Sequence, residues 1–183
     1  MPSVLVPLAQ GCEELEAVTI IDLLRRAGIE VVTAGLDERP VHASRGTVLI
    51  PDTRLEAVRE RTFDMIALPG GLPGADHLAA DTRLTELLRR HQETGHYTAA
   101  ICAAPKVLAG AGLLDGRAAT AYPGAIEPAQ FPRVRFTDAP VVVDEKVVTS
   151  RGPGTAMDFA LQLIECLLDR AARDEVERGL VRA

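Results

Sequence analysis

The sequence predicts an α/β protein of the open, doubly wound class, with a mostly parallel sheet covered by helices on both faces. Three observations carry that expectation: apolar runs without polar alternation, helical segments of about 10 to 15 residues between them, and Gly/Pro-rich breaks at the junctions. Val4-Leu5-Val6, continued by Pro7-Leu8-Ala9, is the first such run and reads as a strand buried on both sides. A helix follows from about Glu13 to Ala27, with carboxylates in its first turn, Arg25 and Arg26 in its last, and Gly28 as its stop. The next strand is Glu30 to Ala34. A β-and-turn stretch from Val41 to Ile50 places Arg45-Gly46 at a hairpin bend, and Pro51 closes it.

Met65-Ile66-Ala67-Leu68 is another buried strand, ending in the shaped loop Pro69-Gly70-Gly71-Leu72-Pro73-Gly74. Helical pattern resumes around Ala75 and again from about Thr82 to Gln92. Tyr97 to Ile101 is the following strand, and Ala103 to Ala111 reads as a helix starting directly after Cys102. Further strands are expected near Ala118 to Ala121, Arg133 to Phe136, Val141 to Val143 and Val147 to Ser150. An apolar helix from Thr155 to Leu168 and a charged one from about Ala171 finish the chain. Doubly wound folds place their chemistry at the carboxyl ends of the strands. Gln10–Glu16, Pro69–Gly74 and Cys102–Pro105 lie there.

The 183 residues, 47% hydrophobic and 25% charged, suffice for one sizeable core and are short for two, so a single domain over 1–183 is expected. A net charge of -6 gives no basic stripe for nucleic acid. Charges break every apolar stretch well before the roughly 20 residues of a membrane span. Nor does the N-terminus read as a secretory signal, so a soluble, cytoplasmic protein is expected. The 3 cysteines, Cys12, Cys102 and Cys166, have no paired spacing, which argues for a reducing compartment and against a structural zinc site.

Small residues flank Cys102 in Ala99-Ala100-Ile101-Cys102-Ala103-Ala104-Pro105, allowing a sharp strand-to-helix turn that exposes the sulfur. Helix-start N–H groups would favour thiolate and lower the pKa below the free value of about 8.5. An inert buried thiol is the alternative reading. Gly70-Gly71 is either a plain tight turn or an N–H donor that, with the N–H of Ala103, forms an oxyanion hole. Glu13 and Glu14 read as helix-start carboxylates. Glu16, one turn further, points over the strand ends, and beside a thiolate it is sensible only as a buried, protonated acid that donates to sulfur.

These segments resemble the motifs of the ThiJ/PfpI superfamily, in its branch of deglycase-like members. The matching stretches are Gly11-Cys12-Glu13-Glu14-Leu15-Glu16-Ala17-Val18, Leu68-Pro69-Gly70-Gly71, Ala99 to Pro105, and Thr149-Ser150-Arg151-Gly152-Pro153-Gly154-Thr155. The resemblance implies a flavodoxin-like three-layer sandwich forming a homodimer. Cys102 would be the nucleophile, Glu16 its protonated partner, and the amides of Gly71 and Ala103 the oxyanion donors, with Gly70 beside them. Arg45 matches an arginine that the family supplies from the partner subunit, and Arg26 and Pro153 match interface and site-lining positions.

One departure stands out. Many relatives carry His before Pro where this chain reads Ala121-Tyr122-Pro123, so Tyr122 lines the site and the Cys-His pairing of a peptidase is missing. His77 and His42 read as surface residues. Cys12 reads as a small loop residue, with a resolving thiol as the alternative, and Cys166 as core. The implied activity is that of a cysteine-dependent deglycase or glyoxalase acting on methylglyoxal or glyoxal, free or as early adducts on proteins or nucleotides. It needs no metal and no cofactor. The alternative is a peroxide-sensing redox protein or chaperone using the same cysteine.

Overall fold

A computed structural model describes residues 1–182 of the chain. Its strands are β1 (Ser3–Leu8), β2 (Glu30–Gly35), β3 (Val41–His42), β4 (Val48–Leu49), β5 (Thr53–Arg54) and β6 (Met65–Leu68). They continue with β7 (Tyr97–Ile101), β8 (Ala118–Ala119), β9 (Arg135–Phe136), β10 (Val141–Asp144) and β11 (Val147–Ser150). The helices are α1 (Glu14–Arg26), α2 (Leu55–Val58), α3 (Gly74–Ala80), α4 (Thr82–Glu93), α5 (Pro105–Gly110), α6 (Ala156–Leu167) and α7 (Arg170–Gly179). One seven-stranded sheet runs in the order β10-β11-β7-β6-β1-β2-β5. Every neighbouring pair is parallel except β10 and β11.

Alternation along each strand divides the core between two faces. Val4, Val6 and Leu8 of β1 join Leu23 and Leu24 of α1, Phe159 and Leu163 of α6 and Val176 of α7. Leu5 of the same strand joins Leu55 of α2, Leu78 of α3, Leu84 and Leu88 of α4 and Leu108 of α5. This is the expected α/β sandwich, and it explains why the central strands are mostly apolar on both faces. Among the described residues, no helix is long and apolar enough to cross a membrane.

Several boundaries differ from the sequence expectation. The stretches expected near Ala118 and Arg133 shrink to the two-residue strands β8 and β9, which pair with each other outside the large sheet. The helix expected directly after Cys102 begins at Pro105, with a turn over residues 102–104. Pro105 supplies the reason, because proline favours the first helical position, where a missing N–H costs nothing. At α1 the expectation holds within one residue at each end. The Glu13 carboxylate caps this helix, accepting the Glu16 N–H at 2.8 Å.

Candidate active site

Three strand ends converge where the sequence reading looks for chemistry. After β7, Cys102 adopts φ 64°, in the left-handed region that side chains other than glycine rarely occupy. Such a conformation costs about 1–3 kcal/mol and persists only where its surroundings hold it. Here the Cys102 N–H donates to the Ser150 carbonyl at 2.9 Å, and the Cys102 carbonyl accepts the Tyr122 N–H at 2.8 Å. Both ends of the strained residue are therefore fixed. Sequence reasoning gave Ser150 no role, and the only signal for it was its place in a matching motif.

Glu16, on the first turn of α1, is 0% exposed and lies over the same strand ends. Its Oε2 accepts the Gly70 N–H at 2.8 Å, while Oε1 has no hydrogen-bond partner among the described residues. Gly70 must be glycine, since a Cβ there would sit 2.7 Å from the Cys102 Cβ, 2.8 Å from the Ile101 carbonyl oxygen and 2.9 Å from Glu16 Oε2. The expectation that Gly70 belongs with the oxyanion donors is corrected by this bond, because its N–H serves the carboxyl group. Gly71, at φ 88°, packs against Gly11, Cys12 and Glu13 so closely that a Cβ would meet the Glu13 nitrogen at 2.4 Å. Its N–H and that of Ala103 reach the Cys102 sulfur, and neither has a backbone acceptor among the described residues.

The electrostatics overturn one expectation. The Cys102 thiol is 8% exposed, and burial, together with the facing Glu16 carboxylate, pushes it up to about 12 instead of below the free value. The N–H groups of Gly71 and Ala103 pull it back only in part. The sulfur is neither well exposed nor at a helix start, because α5 begins three residues later. Burial also lifts Glu16 to about 7, opposed by the Gly70 N–H and the thiol. Carboxyl and thiol thus act as one coupled acid, holding a single proton between about 7 and about 12.

The other candidates are distributed around this centre. Tyr122 is half exposed, with its ring over Gly152, where a Cβ would come within 3.2 Å of the ring. Pro153 opens the next turn, a short 3-10 segment leading into α6. Arg45 stands apart: within one chain its guanidinium is exposed and reaches the Ser44 carbonyl at 3.4 Å. Arg26 pairs with Asp22 at 2.7 Å. Glu14 does more than start a helix, since its carboxylate accepts from Ser44 Oγ and from the N–H groups of Arg45 and Thr47, tying the β3–β4 hairpin to α1.

His77 lies on the surface of α3, with Nδ1 2.9 Å from the Gln10 carbonyl, and His42 is exposed on β3. Cys12 is buried with its backbone pressed against Gly71 and Gly74, which fits the small-residue reading. Burial and the nearby Glu14 and Glu13 push its thiol up to about 12. Cys166 is half-buried against the α1, α6 and α7 side of the core. Among the described residues no three His, Cys, Asp or Glu side chains converge as a metal set.

Known proteins share this sequence and fold. The chain is 43% identical to protein dj-1beta of Drosophila melanogaster over 183 residues, covering 99% of this chain and 97% of that one. The crystal structure of that Drosophila protein superimposes with a TM-score of 0.94, covering 100% of this chain and 98% of the other at 42% identity. A structure of oxidized Toxoplasma gondii DJ-1 gives a TM-score of 0.93 at 41% identity, with both chains covered in full (100%). A Caenorhabditis elegans protein named glutathione-independent glyoxalase DJR-1.2 is 37% identical over 158 residues, covering 86% of this chain and 84% of its own. The DJ-1/PfpI family pattern matches residues 2–166, and the chain belongs to that family.

Proposed function

We propose that the protein is a cysteine-dependent glyoxalase and deglycase, acting on methylglyoxal or glyoxal and on their early adducts with proteins or nucleotides. The observation that carries this reading is the buried Glu16 carboxyl group beside a thiol held at a left-handed turn, with two unused N–H groups aimed at the sulfur. The glyoxalase name of the Caenorhabditis elegans relative supports it. The reactive form of the coupled pair carries its one proton on Glu16 and its negative charge on sulfur. Cys102 then attacks the aldehyde carbon, forming a C–S bond, and Glu16 passes its proton to the new alkoxide, which the Gly71 and Ala103 amides hold.

The Glu16 carboxylate next takes the hydrogen from that carbon and returns it to the neighbouring one, leaving a thioester. Water hydrolyses the thioester and frees the thiolate. Methylglyoxal plus water leaves as lactate and a proton, with no net redox change, and the steps call for no metal or organic cofactor. Peptide hydrolysis is not part of this reading, because Tyr122 stands where a base would be needed. The protein acts as a homodimer in the cytoplasm. Leu15, Val18 and Ile50, 52%, 47% and 82% exposed around α1 and the β3–β4 hairpin, supply an apolar face for the second copy. All three cysteines are free, as suits a reducing compartment.

Lactate release from methylglyoxal by the native protein and by Cys102→Ala tests the proposal. Turnover by the native protein and none by the variant is expected, and equal rates would overturn it. The pH dependence of Cys102 alkylation tests the relay between the two groups: with the Glu16 carboxylate taking the thiol proton during attack, reactivity rises as Glu16 ionises near 7, and a rise only near 12, where the thiol ionises unaided, would remove the mechanism.

A second reading has support from the oxidized Toxoplasma gondii relative. In it, Cys102 thiolate consumes two molecules of peroxide, releases two waters and becomes a sulfinate held by the same N–H groups and Glu16, as a redox sensor or redox-controlled chaperone. Mass spectrometry after peroxide treatment decides this, since oxidation of Cys12 or Cys166 with Cys102 unmodified would exclude it.

A further inference from the structure

A cavity opens at the carboxyl edge of the sheet, on the side of β1 away from Cys102. It lies at the ends of β1 and β2, against α3, and has a volume of about 300 Å³. Leu8, Leu36, Val41 and Ala80 line it with apolar surface. Asp37, Arg39 and His77 give it a polar rim. Crevices at strand carboxyl ends are the customary ligand sites of such sheets, and this volume reaches the range of small-molecule pockets.

The rim offers a guanidinium group, a carboxylate and a ring nitrogen. Asp37 Oδ2 accepts from Nε and Nη2 of Arg39, at 2.9 and 2.5 Å, and Oδ1 accepts the Arg39 N–H at 2.9 Å. This leaves the remaining guanidinium N–H groups without that partner, and a carboxylate lone pair lies beside them. His77 Nδ1 faces the Gln10 carbonyl, which can only accept, so Nδ1 carries a hydrogen and Nε2 is the ring nitrogen left for a ligand. The Gln10 amide is anchored, donating to the Pro40 carbonyl and accepting the His42 N–H, both at 2.9 Å. The remaining acid in the wall, Asp81, is neutralised by Arg83 at 2.6 Å.

The walls therefore carry both signs of charge, balanced, over an apolar floor. A simple anion meets Asp37 as well as Arg39, and a simple cation meets Arg39 as well as Asp37. A ligand with adjacent positive and negative groups satisfies both. We propose that this cavity binds a free α-amino acid with a small apolar side chain. Its carboxylate lies on Arg39, its ammonium between Asp37 and His77 Nε2, and its side chain on Leu8, Leu36, Val41 and Ala80. The site is independent of Cys102 chemistry and stands whether or not the protein turns over aldehydes.

Titration of the isotope-labelled, full-length protein with L-leucine, followed by backbone amide NMR, tests the site. Saturable shifts are expected at Gln10, Leu36 to Val41 and His77 to Asp81. Arg39→Gln, at an exposed position, weakens leucine binding about tenfold or more through loss of the charge-assisted bonds. Isoamylamine, lacking the carboxylate, and 4-methylpentanoate, lacking the ammonium, bind the native protein at least about tenfold more weakly than leucine. Cys102→Ala binds leucine like the native protein. Absence of saturable shifts, equal binding of leucine and either single-charge analogue, unchanged binding by Arg39→Gln, or shifts centred on Cys102 would each overturn the assignment.

Discussion

Glu16 and His91 are two buried titratable side chains that burial treats alike and the fold uses differently. They are 0% and 4% exposed, and each keeps one polar atom without a partner among the described residues, Oε1 of Glu16 and Nε2 of His91. Burial pushes both toward neutrality, Glu16 up to about 7 and His91 down to about 4. His96 and Arg90 add to the His91 shift, and Asp64 opposes it. The surroundings separate the two. Glu16 faces a thiol at a left-handed turn and the N–H groups that reach it, whereas His91 faces the ring of His96, stacked with centroids 4.9 Å apart. A perturbed pKa therefore reports burial, and a reactive neighbour is what turns burial into chemistry.

The largest expected effect breaks the pair apart by activity. Glu16→Gln keeps the shape and loses the transferable proton, so aldehyde turnover falls about 10²–10⁴-fold, the usual weight of a general acid–base group. His91→Gln leaves turnover unchanged. Lactate assays on both variants check this, and equal losses would mean that burial alone, and not the thiol, distinguishes Glu16.

The next effect lies in stability, where the two groups work in opposite directions. Between pH 4.5 and about 7, folded Glu16 keeps a proton that the unfolded chain releases. Its contribution is complete below pH 4.5 and is lost as pH rises through about 7, roughly 3 kcal/mol in all. His91 behaves in reverse: from pH 6.5 down to about 4 the unfolded chain takes up a proton that the folded chain refuses, so its contribution is lost as pH falls. The windows overlap from 4.5 to 6.5, and the slopes cancel there. Relative to the native protein, Glu16→Gln should gain stability with rising pH across this window and His91→Gln should lose it. Urea unfolding at several pH values reads the slopes, and two variants that track the native curve would refute the assignment.

The same contrast explains what the sequence discloses. β1, β2, β6 and β7 are legible because strands covered on both faces are mostly apolar, with isolated polar residues such as Thr33 and Thr98, and α1 because its terminal charges and Gly28 mark both ends. Cys102 and Glu16 stand out by their position at strand ends and by helical spacing. The two-residue strands β4 and β5 and the single turn α2 are too short to show a period. Contacts between distant segments leave no local trace: Gly70 donating to Glu16, Glu14 clamping the β3–β4 hairpin, and Ser150 holding Cys102. The rise in the thiol pKa is hidden for the same reason, since it depends on how deeply three loops bury the sulfur. Pro105 did carry the start of α5, and the small residues before it pointed to a helix that the chain delays.

The smallest effect sharpens the His91 half. His96 is half-buried, its ring lies at 30° to that of His91, and its Nδ1 is 2.9 Å from Thr94 Oγ1. His96→Ala removes one side of the stack, at a cost of about 1 kcal/mol for an aromatic pair. It also admits water to His91 and removes a group that lowers its pKa, so the His91 titration moves from about 4 back toward 6.5. That shift shortens the window over which His91 opposes Glu16, and the stability of the variant should fall with pH where the native curve is level. Imidazole NMR titration reads the midpoint directly. A midpoint still near 4 would place the whole shift in the burial of His91 by α4 and the sheet, with none of it in the stacked ring.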